Sequence, residues 1–306
     1  MEKIIVIVGP TASGKSALAI KIARKFNGEI VSADSRQIYC EMNIGTAKPT
    51  KKELASIPHH LIDIKNPNQN YTVAEYKRDA IKAINKILKK KKLPILVGGT
   101  GLYIKAVIDN LNIPKVAPDS KLRKKLEKEI EKYGLKYLFE KLINLDPEAA
   151  YIVDPNNHRR VIRALEIAIK TKKPFSAQRK IGKPLFNFIE TGIKWSKNSL
   201  DERINKRVDL MIEEGLLEEV KNLIKKYPPP FSNGEGLQSF DAIGYREIID
   251  YLNKKFPFEE AVELIKKNTR NYAKRQMTWF NKDRRIYWVK SLRESEKLIE
   301  NFLNKK

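Results

Sequence analysis

The chain of 306 residues carries 61 lysines and arginines against 37 acids, a net charge of +24, with 42% hydrophobic residues. That length suits two globular domains, no run approaches the ~18 apolar residues of a spanning helix, and Met1-Glu2-Lys3 leads straight into a strand without a signal-peptide pattern, so a cytoplasmic protein is expected. The lone Cys40 excludes an internal disulfide and a cysteine-rich zinc site, while the charge means either a lysine-rich solvated surface or a polyanionic partner such as nucleic acid.

Lys3–Val8 reads as a buried strand and runs into Gly9-Pro10-Thr11-Ala12-Ser13-Gly14-Lys15-Ser16, with helical periodicity from Lys15 to about Phe26. This is the phosphate-binding pattern G-x-x-x-x-G-K-[ST] in the strand–loop–helix setting it requires. Successive N–H groups of such a loop form an anion nest, the helix N-terminus and Lys15 add positive charge, and Ser16 is placed to hold Mg²⁺. A di- or triphosphate is therefore expected at residues 9–16, though the loop alone does not choose between donors. Glu29–Ala33 is a second strand, ending at Asp34-Ser35-Arg36-Gln37. An irregular stretch with Gly45, Pro49, Pro58 and Pro67 follows, and then Thr72 and Glu75 form a capping box at the head of a helix. Leu93–Val97 is a third buried strand, closed by Gly98-Gly99-Thr100-Gly101. Strands alternating with helices predict a parallel α/β sheet flanked by helices, with ligands outside the strand C-termini, where the loops of Gly9, Asp34 and Gly98 converge.

From about Val116 the strand pattern stops. Charged segments of helical period cover about 119–133, 134–144, 146–153 and 157–171, and they predict an all-helical insertion over 116–185 within a core formed by 1–115 and 186–306. The run Phe186–Trp195 returns as a strand, a helix spans Leu200–Lys226, and Pro228-Pro229-Pro230 with the glycine-rich Ser232–Gly236 segment ends it. Helices near Tyr245–Leu252 and Pro257–Phe280, a short strand Ile286–Val289 and a terminal helix complete the chain.

Asp34, at a strand end beside the phosphate loop, reads as a general base or metal ligand, or equally as a turn aspartate. A nucleotide-hydrolysing P-loop enzyme usually places a Walker B acid at a strand end, and none follows Leu93–Val97; Asp63 is a substitute or a turn residue. Arg159, Arg160 and Arg163 fall together at helical spacing. A second cluster, Arg270 to Arg285, interleaves cations with Tyr272 and Trp279, which suits RNA stacking or simply a helix's core side. His59, His60 and His158 lack metal-ligand spacing.

Gly9–Ser16, Asp34-Ser35-Arg36-Gln37-Ile38-Tyr39, Ile44-Gly45-Thr46-Ala47-Lys48-Pro49, Pro58–Asp63, Gly98–Tyr103, Asn157–Glu166, Ala242–Glu247 and Lys274–Phe280 stand in an order that resembles the bacterial tRNA dimethylallyltransferase family over nearly the whole chain. The resemblance implies a P-loop-like α/β fold and transfer of a dimethylallyl group from dimethylallyl diphosphate to N6 of the adenosine 3′ of the anticodon, in tRNAs reading codons that begin with U. It implies that Asp34 is the base, that Thr100 bonds the amine or base edge, and that Arg207 assists diphosphate departure, with Arg203 one turn away as the other choice. It further implies that Asp34–Gln37, Thr100, Arg123, Arg159, Arg160, Val161, Ile162, Arg163 and Asp241, Ala242, Ile243, Gly244, Tyr245, Arg246 contact tRNA, with the adenosine flipped from its stack. The expected partners are the anticodon stem–loop, dimethylallyl diphosphate and Mg²⁺, acting on a monomer away from any membrane. A small-molecule kinase and an enzyme prenylating free adenine nucleotides are the rival readings, and neither needs the basic insertion.

Overall fold

The computed structural model describes residues 1–114, 116–178, 181–228 and 239–305; the expected Pro229–Gly236 segment lies outside them. The described residues fall into two compact units, Met1–Ile108 with Pro184–Lys306, and Asp109–Lys183.

The first unit is built on one all-parallel sheet. Its elements begin with β1 (Lys3–Val8), α1 (Lys15–Lys25), β2 (Gly28–Ser32), α2 (Lys51–Ser56), β3 (His59–His60), α3 (Val73–Lys89), β4 (Leu93–Gly98) and α4 (Gly101–Ile108). The second unit holds α5 (Ser120–Leu145), α6 (Ala149–Ile152) and α7 (His158–Thr171). The chain then returns through β5 (Asn187–Ile193), α8 (Lys197–Glu213), α9 (Leu216–Lys226), α10 (Tyr245–Leu252), α11 (Phe258–Phe280), β6 (Ile286–Val289) and α12 (Leu292–Asn304). Strand order is β3-β2-β4-β1-β5-β6.

Alternation along β1 explains why the sheet is covered on both faces. Ile4, Val6 and Val8 enter one apolar layer, packed by α3, α4 and α8–α11. Ile5 and Ile7 enter the opposite layer with α1 and α12. A strand buried on both sides reads as an unbroken apolar run, as KIIVIV does. The expected capping box of α3 forms, with Thr72 accepting from the Glu75 N–H. A second one, Thr50 with Glu53, heads α2 in the stretch expected to be irregular. The single helix expected over Leu200–Lys226 is two, because Gly215 at φ +97° ends the first and opens the second.

The second unit has its own core of Leu126, Leu138, Leu142, Val161, Ile162 and Leu165. Gly134, at φ +84°, interrupts α5 where the sequence reading placed a helix boundary. Asn157 caps α7 by accepting the Arg160 N–H. The segments entering and leaving this unit are tied together: Asn110 Nδ2 donates to Lys183 O, Gly182 N–H to Asn110 O, and Leu111 bridges Ile181.

Candidate active site

The loops after β1, β2 and β4 converge, as parallel topology requires at its C-terminal edge. Gly98 is where they touch. A Cβ there would lie 2.1 Å from Ala33 O, so only glycine lets the β4 loop approach the residue before Asp34. Thr100 N–H then donates to Ala33 O at 3.2 Å, and Ser35 N–H donates to Thr100 Oγ1 at 3.1 Å. Asp34 closes its own turn, its Oδ1 accepting N–H from Arg36 at 2.8 Å and Gln37 at 3.3 Å. Asp34 also lines the cavity of the site, so a turn role and a place in the site occur in one residue.

The phosphate loop is shaped from outside as well as by its own turns. Ala12 has φ +61°, a conformation that costs a non-glycine residue on the order of 1 kcal/mol or more. Arg203 Nε donates to Ala12 O at 2.9 Å and Trp195 Nε1 to Ser13 O at 2.8 Å, with the guanidinium 4.4 Å from the Trp195 ring centre. These bonds fix the Ala12 and Ser13 carbonyls, and the Ser13 N–H donates to Pro10 O at 3.3 Å. Arg207 instead reaches into the site, donating to Thr11 Oγ1 at 3.3 Å. Burial lowers its pKa from the usual guanidinium value, Arg203 adds to this, and Asp34 opposes it. Both arginines line the cleft; the exposed Arg203 braces the loop through Ala12 O, and the half-buried Arg207 holds Thr11 Oγ1.

Lys15 sits in the same field. Burial brings its pKa down to about 8, against the pull of Asp34 and with the push of Arg207. These charges surround a cavity of about 610 Å³, lined among others by Lys15, Ser16, Asp34, Gln37, Arg207, Asp241, Ala242 and Ile243, all within the first unit. The Oγ of Ser13, 1% exposed, has no partner in the loop. Among the described residues no three His, Cys, Asp or Glu side chains converge as a metal cage. Ser16 at the head of α1 suits a cation held mostly by phosphate oxygens, which fits Mg²⁺ better than a protein-caged metal.

Two walls of the cavity are fixed by residues the sequence reading did not single out. Glu219 on α9 accepts N–H groups from Asn43 and Ile44, both at 2.9 Å, and from Gly45 at 3.2 Å. Its carboxylate also accepts the Tyr245 hydroxyl at 2.7 Å, so it ties the 43–47 wall to the 241–245 wall. Tyr245 is fully buried, with its ring against Gly45, so it is a strut between walls rather than an exposed contact. Gly244 is buried at the head of α10, while Arg246 is exposed and pairs with Glu247. Tyr272 on α11 lines the cavity, and burial with the nearby Asp34 charge pushes its phenol up to about 12. Asp63 pairs with Lys48 at 2.6 Å, which makes it a loop anchor and not a Walker B substitute. His60 bonds Glu29, which Lys90 and Lys92 also pair with, and His59 bonds Ile57 O, consistent with structural histidines.

In the second unit the expected contact residues divide. Arg159 and Arg160 are exposed at the start of α7. Val161 and Ile162 point into the unit's core and offer no side chain to a partner. Glu166, fully buried, takes both Nε and Nη2 of Arg123 at 2.9 Å, a close bond from Arg163 Nη1, and the Asp119 N–H at 2.7 Å. Arg123 and Arg163 therefore hold the unit together through one carboxylate.

Against known proteins, the IPP transferase family model matches residues 37–283. The tRNA dimethylallyltransferase of Acetivibrio thermocellus is 47% identical, the alignment covering 98% of this chain and 96% of that protein. That of Halothermothrix orenii is 45% identical over 98% and 93%. The structure of the full-length tRNA isopentenylpyrophosphate transferase from Bacillus halodurans superposes with a TM-score of 0.72 at 41% identity, covering 99% and 96% of the two chains. A eukaryotic dimethylallyltransferase acting on tRNA superposes with a TM-score of 0.73 at 33% identity, over 91% of this chain and 70% of that one. Family match, near-complete alignment and shared fold agree, and this chain belongs to the IPP transferase family.

Proposed function

We propose that this chain transfers a dimethylallyl group from dimethylallyl diphosphate to N6 of the adenosine 3′ of the anticodon, in tRNAs that read codons beginning with U, and releases diphosphate. The observation that carries this reading is one cavity lined both by the phosphate loop with Lys15 and Arg207 and by Asp34. Diphosphate sits on residues 9–16. Ser16 would hold Mg²⁺, which would supply charge neutralisation for the leaving diphosphate. The N6 lone pair bonds to the allylic C1 as the C1–O bond breaks, and that electron pair leaves with the diphosphate. The N6 proton passes to Asp34, while Thr100 holds the adenine edge. Lys15 and Arg207 face the negative charge as it grows, in a site already organised for it. Ser35, Arg36, Gln37, Asp241, Ala242 and Ile243 border the flipped base, and the insertion contributes Arg159 and Arg160 to the tRNA backbone. The protein acts as a monomer, and among the described residues no helix is long and apolar enough to cross a membrane.

Purified protein with Mg²⁺ and labelled dimethylallyl diphosphate is expected to label an anticodon stem–loop and to leave AMP unlabelled. Label in AMP alone would move the acceptor to free nucleotides, and label in neither, with ATP turnover, would overturn the reading.

Two further outcomes follow from the charges. Above pH 8 the donor's phosphates are fully ionised while free Lys15, with its pKa about 8, loses its proton. Binding must then take up a proton, so donor affinity falls with rising pH, approaching about tenfold per unit. A donor KM flat from pH 7.5 to 9.5 would remove Lys15 from the diphosphate site. The second concerns the insertion. Arg159→Glu with Arg160→Glu raises the tRNA KM about tenfold and flattens its log–log salt slope by about two, one unit for each lost phosphate contact. Arg163 is left intact in this test because of its Glu166 pairing. An unchanged KM and slope would make the pair ordinary solvated surface.

A further inference from the structure

The sequence leaves α11 open as an RNA-facing basic helix or a helix whose aromatics form its core side, and its inward face has a task of its own. Tyr272, Gln276 and Trp279 recur at i, i+4 and i+7 and so share one face. That face meets the loop after β4. Gln276 Nε2 donates to Gly99 O at 2.9 Å, the Trp279 ring lies over Gly101, 2.2 Å from where a Cβ would be, and Tyr272 lines the cavity beside them. Gln276 also reaches the phosphate loop, its Oε1 accepting the Thr11 N–H at 2.8 Å. One amide, 6% exposed, thus spans the loop that holds the diphosphate and the loop that presents Thr100. Its orientation is forced, since the flipped amide would set N–H against N–H and oxygen against oxygen.

We propose that Gln276 is a positioning residue for the transfer step, fixing the separation between the donor loop and the acceptor loop. The inference rests on the prenyl-transfer reading above. Each reactant is held by its own loop, so either one binds without the clamp. The reaction needs both, with C1 and N6 brought within about 3–3.5 Å, and an error near 1 Å costs on the order of a hundredfold in rate. Loss of the clamp therefore appears in the chemical step and leaves the two affinities alone.

Two substitutions open the same bond from opposite sides. Gln276→Glu keeps an acceptor for the Thr11 N–H and sets an oxygen against Gly99 O. Gly99→Ala puts a methyl 2.2 Å from Gln276 Nε2 and pushes it away. In single-turnover assays at saturating donor and stem–loop, each is expected to slow transfer at least about thirtyfold, with both dissociation constants within about twofold of wild type. The double variant is expected to be no slower than the worse single, because the same contact cannot be lost twice. Gln276→Met, which lacks both bonds at similar volume, repeats the rate comparison if the glutamate variant does not fold. Rates within about threefold of wild type, additive losses in the double variant, or a parallel fall of rate, both affinities and thermal midpoint would each overturn the clamp. A wild-type protein that leaves the RNA unlabelled overturns the transfer reading itself, and the clamp with it, whereas an active wild type with unimpaired variants overturns the clamp alone.

Discussion

Asp34→Asn lowers turnover about a thousandfold and leaves tRNA affinity within about a factor of two. The substitution is chosen for what it keeps. Asparagine still offers Oδ1 to the Arg36 and Gln37 N–H groups, so the turn that shapes the base pocket survives. It loses the negative charge and the capacity to take a proton, which is the role proposed for Asp34. It also removes an anion that holds the Lys15 charge in place, so the Lys15 pKa drops further and the pH limb of donor binding moves to lower pH. Steady-state rates and filter binding on the same preparations read both effects. Turnover within tenfold of wild type would assign Asp34 to the turn alone and send the N6 proton elsewhere.

Arg207→Ala is expected to reduce kcat by about a hundred- to a thousandfold with a smaller change in donor KM, because its charge matters most when the diphosphate carries its full departing charge. Arg203→Ala gives the opposite split. It frees the Ala12 carbonyl and unstacks Trp195, the strained loop relaxes, and donor KM rises about tenfold while kcat falls less. One helical turn separates these arginines, and only the direction of their side chains distinguishes them. If Arg203→Ala lost kcat and Arg207→Ala lost only KM, their roles would have to be exchanged.

What could be read from the chain and what could not follows the range of the interactions. The phosphate loop, Asp34 and the β4 glycines are short patterns whose spacing encodes a turn, and a strand of unbroken apolar residues announces a sheet covered twice. Arg203 and Arg207 share a helix and a charge, so neither composition nor spacing separates the one that braces Ala12 O from the one that holds Thr11 Oγ1. Glu219 and Gln276 escaped because their partners are 174 to 176 and 265 residues away, and nothing local marks a glutamate that will accept three backbone N–H groups. The 157–166 block misled in part for a related reason. Its arginines look equivalent along the helix, yet Glu166 captures Arg163 and draws it toward the unit's interior, while Val161 and Ile162 complete a core. Tyr272 bears on both readings of its cluster, since it is a packed aromatic that also lines the cavity.

The stitched ends of the second unit carry one more consequence. Asn110, Gly182 and Lys183 bring the outgoing and returning chain side by side, and β1 and β5 pair directly although the whole unit lies between them in sequence. A segment whose two ends meet places little demand on its host, since it can be shortened, lengthened or replaced without rethreading the sheet. The two units are in that sense separable in sequence, since the second leaves and re-enters the first through one pair of adjacent segments of chain.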